Sequence, residues 1–414
     1  KYFIDLFAGC GGLSLGLEQA GFTPAFVNEL NNDALGTYLL NRKEFSYLKK
    51  LKSNDIKEIC STPERIEDLK SGLRKHLSLK GKDVSLVVGG PPCQGYSGIG
   101  HRRSYGVHKE EIPSNYLYKS MAKLIRHLKP RAFIFENVKG LLHARWNPKG
   151  KKGEIWKDVL KTFQNLDGYF VDSGLLYAKD YGIPQNRPRV FIVGVRNDLG
   201  FKEDIFKPAS GLLPTITNKH SYSHPTDLLG DLLDPKYKTN FKTEKYLCNP
   251  KTDIQYELRK NNHRNSYRRK GDSITEQEYS NHKPKIVKKY AYMISNNGKI
   301  PKHMKTKKFA QRVLPKKWAN GPNMTTTSLP DDIIHYSQPR ILTVREWARF
   351  QTFPDWYQFA GKRTTGGIRR AGNPHLGIWD REVPKYTQIG NAVAVLLAKQ
   401  IGENIKKITT VKPF

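Results

Sequence analysis

The chain has 414 residues, with 71 Lys and Arg against 38 Asp and Glu, and its formal net charge of +33 points to a polyanionic partner, nucleic acid first. No apolar run reaches membrane-spanning length, and Asp5 breaks the apolar start, so neither a spanning helix nor a signal peptide is expected. Cys10, Cys60, Cys93 and Cys248 are scattered without CxxC spacing, which argues against a disulfide framework and a zinc site and fits a reducing cytoplasm.

In chain order, residues 1–195 alternate short apolar strands with amphipathic stretches, the pattern of βα units and a mostly parallel sheet. Strands are predicted over 2–7, 25–29, 84–88, 132–136 and 190–195, and helices over 13–20, 34–41 and 116–128. Beyond Arg196 the alternation gives way to Pro-, Asn- and Lys-rich sequence up to about Gln338, read as a second domain. Within it, residues 251–320 hold 19 Lys and Arg against 5 Asp and Glu, and interleaved aromatics (Tyr256, Tyr267, Tyr290, Tyr292, Phe309, Trp318) favour a folded surface over a disordered tail. The pattern then returns, with helices predicted over 344–351 and 392–405.

The first strand runs into Phe7-Ala8-Gly9-Cys10-Gly11-Gly12, where Gly9 and Gly11 allow a tight turn and the close approach of a nucleotide. Glu29 ends the next strand 20 residues after Gly9, where a carboxylate can accept from ribose hydroxyls. The full GxGxxG series is missing, so an adenosyl ligand such as S-adenosyl-L-methionine fits better than NAD. Asp55 reads equally well as an acceptor for an adenine amino group and as a helix cap.

The run Gly89-Gly90-Pro91-Pro92-Cys93-Gln94-Gly95 places a cysteine on a stiff turn straight after an apolar strand, where a nucleophile would be held at the carboxyl edge of a sheet. Residues 97–114, with Ser97, Arg102 and Arg103, read as a basic lid following that turn. A third strand carries Glu136 at its carboxyl end, costly to bury unless paired or functional. Arg187 and Arg189, before the strand at 190–195, share a face by alternation, so both could reach Glu136 or a substrate.

The ordered segments FAGCGG, GGPPCQGYS, FENV, QNRPR, RILTVREWARFQTFPD and QIGNAV together resemble the cytosine-C5 DNA methyltransferases. The resemblance implies an α/β fold: a Rossmann-like, S-adenosylmethionine-dependent methyltransferase sheet domain plus a smaller, basic target-recognition domain. It places the catalytic and cofactor-binding domain at 1–200, the recognition domain at 201–338 and a return to the catalytic domain at 339–414.

It further implies a target cytosine flipped from duplex DNA and methylated at C5 through a covalent Cys93–C6 intermediate. Glu136 would bond to N3, with Arg189 orienting the base and Arg187 in support. Cofactor contacts would come from Phe7, Ala8, Gly9, Gly11, Gly12, Glu29, Leu30, Asp55, Ile56, Pro91, Asn391 and Ala392, the segment 390–393 opening a helix that completes the cofactor site. DNA contacts would come from Gln94, Ser97, Arg102, Arg103, Thr325 and Thr326, while Arg340 and Arg345 would brace the two domains. No metal is required. The setting implied is the prokaryotic cytoplasm, close to the nucleoid, with a monomer protecting host DNA from a cognate restriction endonuclease. The alternatives are a tRNA cytosine-C5 methyltransferase, disfavoured by the long basic insert, and a catalytically silent DNA-binding homologue, disfavoured by Cys93, Glu136 and Arg189.

Overall fold

The computed structural model describes residues 1–77, 84–92, 112–199, 211–216, 222–262, 266–305, 311–366, 369 and 382–409. Seven strands form one sheet: β1 (Tyr2–Leu6), β2 (Thr23–Asn28), β3 (Lys52–Ser53), β4 (Leu86–Gly89), β5 (Ala132–Val138), β6 (Tyr169–Tyr177) and β7 (Pro188–Arg196). Their order across the sheet is β3-β2-β1-β4-β5-β7-β6. The first five pair in parallel, and β7 lies antiparallel to both β5 and β6. The chain winds outward from β1 through β2 to β3, then resumes beside β1 at β4. The gap between β1 and β4 is therefore the topological switch point, beyond whose carboxyl ends open α/β sheets hold their ligands.

Alternation sends successive strand residues to opposite layers. Ile4, Leu6, Val87, Phe133 and Phe135 pack under the helices Pro63–Leu77, Leu117–Leu128 and Glu154–Gln164. Phe3, Leu86, Val88, Ile134 and Val193 face α1 (Gly12–Gln19) and the late helix Val395–Ile408. Burial on both faces explains why β4 and β5 read as continuous apolar runs.

The expected strands are present with shifted ends; β6 and β3 were not anticipated. β6 is the edge of the sheet, only half-buried, and Asp172-Ser173-Gly174 interrupts its apolar alternation. The predicted helix over 392–405 needs a larger correction. Gly390 and Asn391 close the helix Lys385–Asn391 instead of opening the next one, residues 392–394 are extended, and the final helix runs Val395–Ile408.

Residues 222–338 carry short helices (Pro225–Leu229, Asp253–Arg259, Pro284–Ser295) and a two-stranded parallel pair, β8 (Arg312–Val313) and β9 (Ile333–Ile334). Their apolar side chains join those of the return segment: Leu228, Leu258, Ile274, Trp318 and Tyr336 share one cluster with Trp347, Phe350, Phe353 and Tyr357. The core is thus continuous across residue 338. Arg340 and Arg345 brace this contact. Arg340 forms a two-pronged pair with Glu346 and lies over the Tyr279 ring, while Arg345 donates to the Thr275 carbonyl and hydroxyl and to the Tyr357 carbonyl.

Candidate active site

Register fixes the rim of the site. Leu6 pairs with Gly89, and Gly89 with Phe135, so the residues that follow them, Phe7, Gly90 and Glu136, emerge side by side beyond the switch point.

The turn after β1 is built from left-handed backbone. Phe7, Gly9 and Gly11 have φ of 57°, 56° and 83°, values that bend the chain back into α1. Glu29, at the end of β2, holds this turn: its carboxylate accepts from the Gly9 N–H at 2.8 Å and the Asn31 N–H at 2.7 Å. Burial raises its pKa, opposed by those two bonds. Leu30 is 71% exposed, an apolar shelf beside the carboxylate. Beneath the turn, Arg42 pairs with Glu18 and donates to the carbonyls of Gly11 and Tyr38 and to the Tyr357 hydroxyl, which in turn donates to the Cys10 carbonyl.

Each carboxylate oxygen of Glu29 keeps a further lone pair for a hydroxyl, and a side chain added at Gly9 would meet nothing within 4 Å. The residues present therefore fit an adenosyl group: Glu29 for the ribose, Leu30 for an apolar ring face. Asp55 caps the helix Ile56–Ile59, its side chain accepting from the Lys57 N–H, and Ile56 is buried. Ala392 belongs to the extended link 392–394. Its neighbour Val393 presses its carbonyl onto Gly12 at the start of α1, and Asn391 is exposed. The return segment thus lies against the glycine turn.

On the other side of the switch point, Glu136 and Arg189 form an ion pair, Nε to Oε1 at 2.7 Å, as diagonal neighbours on one face of the β5–β7 ladder. Burial raises the Glu136 pKa, and the charges of Arg189 and Arg187 pull it down by less. Gly90 lies over this carboxylate, and the neighbouring Asn137 amide donates to the Pro91 carbonyl. The two contacts tie the approach to Cys93 to the end of β5. Cys93 itself lies outside the described residues, as do Gln94, Ser97, Arg102, Arg103 and most of the expected lid.

Arg187 faces elsewhere than expected. Its guanidinium donates to the carbonyls of Thr326, Gly390 and Ala392 and makes no hydrogen bond to Glu136, which it influences only through space. Thr326, expected at the DNA, is 1% exposed and bonded to Gln185, so it is a supporting residue of the interior. Thr325, half-buried, donates to the Asn186 carbonyl. Gln185 and Gln351, given no role from the sequence, are fully buried amides; Gln185 stands among polar neighbours in QNRPR, so nothing in the sequence singles it out.

The fold recurs in solved structures. One described as a DNA modification methyltransferase encoded within an E. coli prophage superposes with a TM-score of 0.63 at 23% identity, covering 98% of this chain and 99% of that one. A seven-stranded sheet of this order, with a glycine turn and an acidic strand end at its switch point, defines an α/β fold of the kind seen in that structure. More particularly, the chain belongs to the C-5 cytosine-specific DNA methylases, whose family model matches residues 2–407. Among curated relatives, the Type II methyltransferase M.DdeI of Desulfomicrobium norvegicum is 29% identical over 419 residues, 97% of this chain and 88% of that protein. M.XorII of Xanthomonas oryzae pv. oryzae is likewise 29% identical, over 425 residues, 99% of this chain and 85% of that protein.

Proposed function

We propose that this protein methylates C5 of a cytosine within a short sequence of duplex DNA, as the modification enzyme of a restriction–modification system. The observation that carries this reading is the buried Glu136–Arg189 pair beside the Gly90-Pro91 turn, one step along the sheet from the glycine turn and Glu29.

C5 of cytosine is a poor nucleophile while the ring is aromatic. Addition of a thiolate at C6 removes the aromaticity and makes C5 an enamine carbon. Cys93 is the cysteine suited to this. Burial pushes the thiols of Cys10 and Cys60 up to about 12 and about 11, and Cys248 bonds to the Asp231 carbonyl in the middle region. A protonated Glu136 donates to N3 and stabilises the charge that develops there, while Arg189 orients the base. S-adenosylmethionine, held by Glu29, Leu30 and the turn 7–12, supplies an electrophilic methyl group when bound. Once C5 is substituted, loss of its proton to a base and elimination across C5–C6 return the thiolate to Cys93. The target base must leave the duplex to reach this rim, at about a few kcal/mol of unstacking.

Residues 1–200 and 339–414 make up the catalytic part in this reading, and 201–338 the part that reads sequence. One flipped base requires one site, so the working unit is a monomer in a prokaryotic cytoplasm, sharing its target with an endonuclease. Bisulfite sequencing of a plasmid library, treated with the protein and S-adenosylmethionine, tests the proposal. Protected cytosines in one short context, absent with Cys93→Ser, are expected. Transfer of labelled methyl to tRNA and not to DNA would overturn it.

A further inference from the structure

At the entry to β7 the side chains of Gln185, Gln351 and Arg187 and the backbone of Thr326 and Ala392 close a largely buried ring of hydrogen bonds. Gln185 Oε1 accepts from the Thr326 N–H at 3.2 Å and its hydroxyl at 2.9 Å; Gln185 Nε2 donates to Gln351 Oε1 at 2.7 Å and to the Phe350 carbonyl at 2.6 Å. Gln351 Nε2 continues to the carbonyls of Ile389 and Ala392. Arg187 completes the circuit, one amino group on the Ala392 and Gly390 carbonyls at 2.7 Å and the other on the Thr326 carbonyl at 2.9 Å. Gln185, Arg187, Thr326 and Gln351 are each no more than 2% exposed. The flanking backbone is pinned as well, Asn186 N–H to the Met324 carbonyl and Trp347 Nε1 to the Thr327 carbonyl.

Three parts of the chain meet here: the strand carrying Arg189, the end of the middle region at 324–327, and the return segment at 389–392 that lies against the glycine turn. We propose that Gln185 and Arg187 form a coupling element through which DNA engagement by the middle region and cofactor binding at the return segment control one another, Arg187 being a positioning residue for both. The inference rests on the function proposed above.

The physical reason is how little slack these bonds leave: of the side-chain nitrogens and oxygens of Gln185, Arg187, Thr326 and Gln351, Arg187 Nε alone is buried without a partner. If residues 324–327 move when DNA binds, the Thr326 contacts must either break, leaving buried donors and acceptors unpaired, or be carried along to Ala392. The side chains of Gln185, Arg187, Thr326 and Gln351 are buried, so breaking their contacts costs free energy that passing the displacement on avoids. The flat guanidinium fork holds carbonyls of two segments at once, which a lysine ammonium at the same place would not fix in direction. Linkage then makes the effect reciprocal: whatever factor DNA imposes on cofactor affinity, the cofactor imposes on DNA affinity.

The test uses S-adenosylhomocysteine as the probe, its Kd measured by calorimetry with and without a duplex carrying the sequence found by bisulfite sequencing. The duplex Kd is measured with and without the probe. Wild-type protein should show equal factors in both directions, about fivefold or more. Thr326→Val removes the hydroxyl at nearly constant volume and should bring both factors to about one, while Thr326→Ser restores them, as a purely steric role would not. Gln351→Met, on the far side of the ring, should lose the coupling as Thr326→Val does, and it serves if the valine variant fails to fold. A wild type that methylates DNA with factors of one overturns the coupling alone, as does a folded Thr326→Val or Gln351→Met protein that keeps the full factor. A wild type that binds neither ligand overturns the proposed function and the coupling with it.

Discussion

In the proposed mechanism Glu136 carries two demands at once. It must be held by Arg189 to keep its place on the rim, and it must carry a proton to donate to a base. Burial tips the balance toward the protonated form, raising the pKa against the pull of both arginines. Because the acid form is the working one, the rate should fall as pH rises through the raised pKa. Glu136→Gln keeps the shape and a donor but has no proton to give, so single-turnover rates should drop by about 10²–10⁴-fold and lose that alkaline limb. Single-turnover kinetics across pH, beside a binding assay showing intact DNA affinity, reads both effects. Asp5, buried beneath the glycine turn and accepting from the Ser14 hydroxyl at 2.5 Å, is likewise raised, to about 7.

Among elements, α1 and the helix Val395–Ile408 meet in a close joint. A Cβ on Gly16 would stand 2.4 Å from both the Ala398 Cβ and the Val395 carbonyl, so this glycine is required by close approach. Gly16→Ala should cost about 1–3 kcal/mol, read as a lower urea midpoint, because the late helix must back away. The resemblance implied that this helix returns to the first domain, but its packing on α1 was not legible, since nothing in either helix names its partner nearly four hundred residues off. Buried strands and the glycine turn were legible because continuous apolar runs and paired glycines have few other uses. β6 was not, since an edge strand needs only one face covered and tolerates Asp172-Ser173-Gly174. The start of the last helix was misplaced because Gly390 and Asn391 suit a helix end as well as a helix start, and only the extended link at 392–394 decides between them. Alternation offered Arg187 and Arg189 alike to Glu136, and only Arg189 pairs with it; the place of Arg187 was not legible, because its acceptors are backbone carbonyls that any residue could supply.

At the scale of the molecule, charge is segregated. From Tyr279 to Pro330 the chain has no Asp or Glu and carries 12 Lys and Arg. Lys283, Lys285, Lys288, Lys299, Lys302, Lys305, Arg312, Lys316 and Lys317 are exposed. The acidic partners are instead drawn into the interior, where Arg349 and Arg259 share Asp231 and Arg349 also holds Asp355. DNA affinity should therefore fall steeply with salt, and replacing Lys285, Lys288 and Lys299 together by Gln should make the slope of log K against log salt shallower by about 0.9 for each phosphate no longer neutralised. Filter binding between low and physiological salt measures it. Because all three side chains are exposed, the folded stability should be unchanged.

The packing of Val393 and Val395 onto Gly12 and Gly16 also sets a timetable for synthesis. The turn after β1, which the proposed function assigns to the cofactor, leaves the ribosome long before the helix that covers its flank. A nascent chain holding every residue through β7 still lacks that flank, so on the proposed reading methylation should begin only once translation has passed the helix Val395–Ile408. The same distance in sequence makes the protein divisible. Two separately expressed pieces, cut within the middle region, would each carry one half of this joint and could find each other through it.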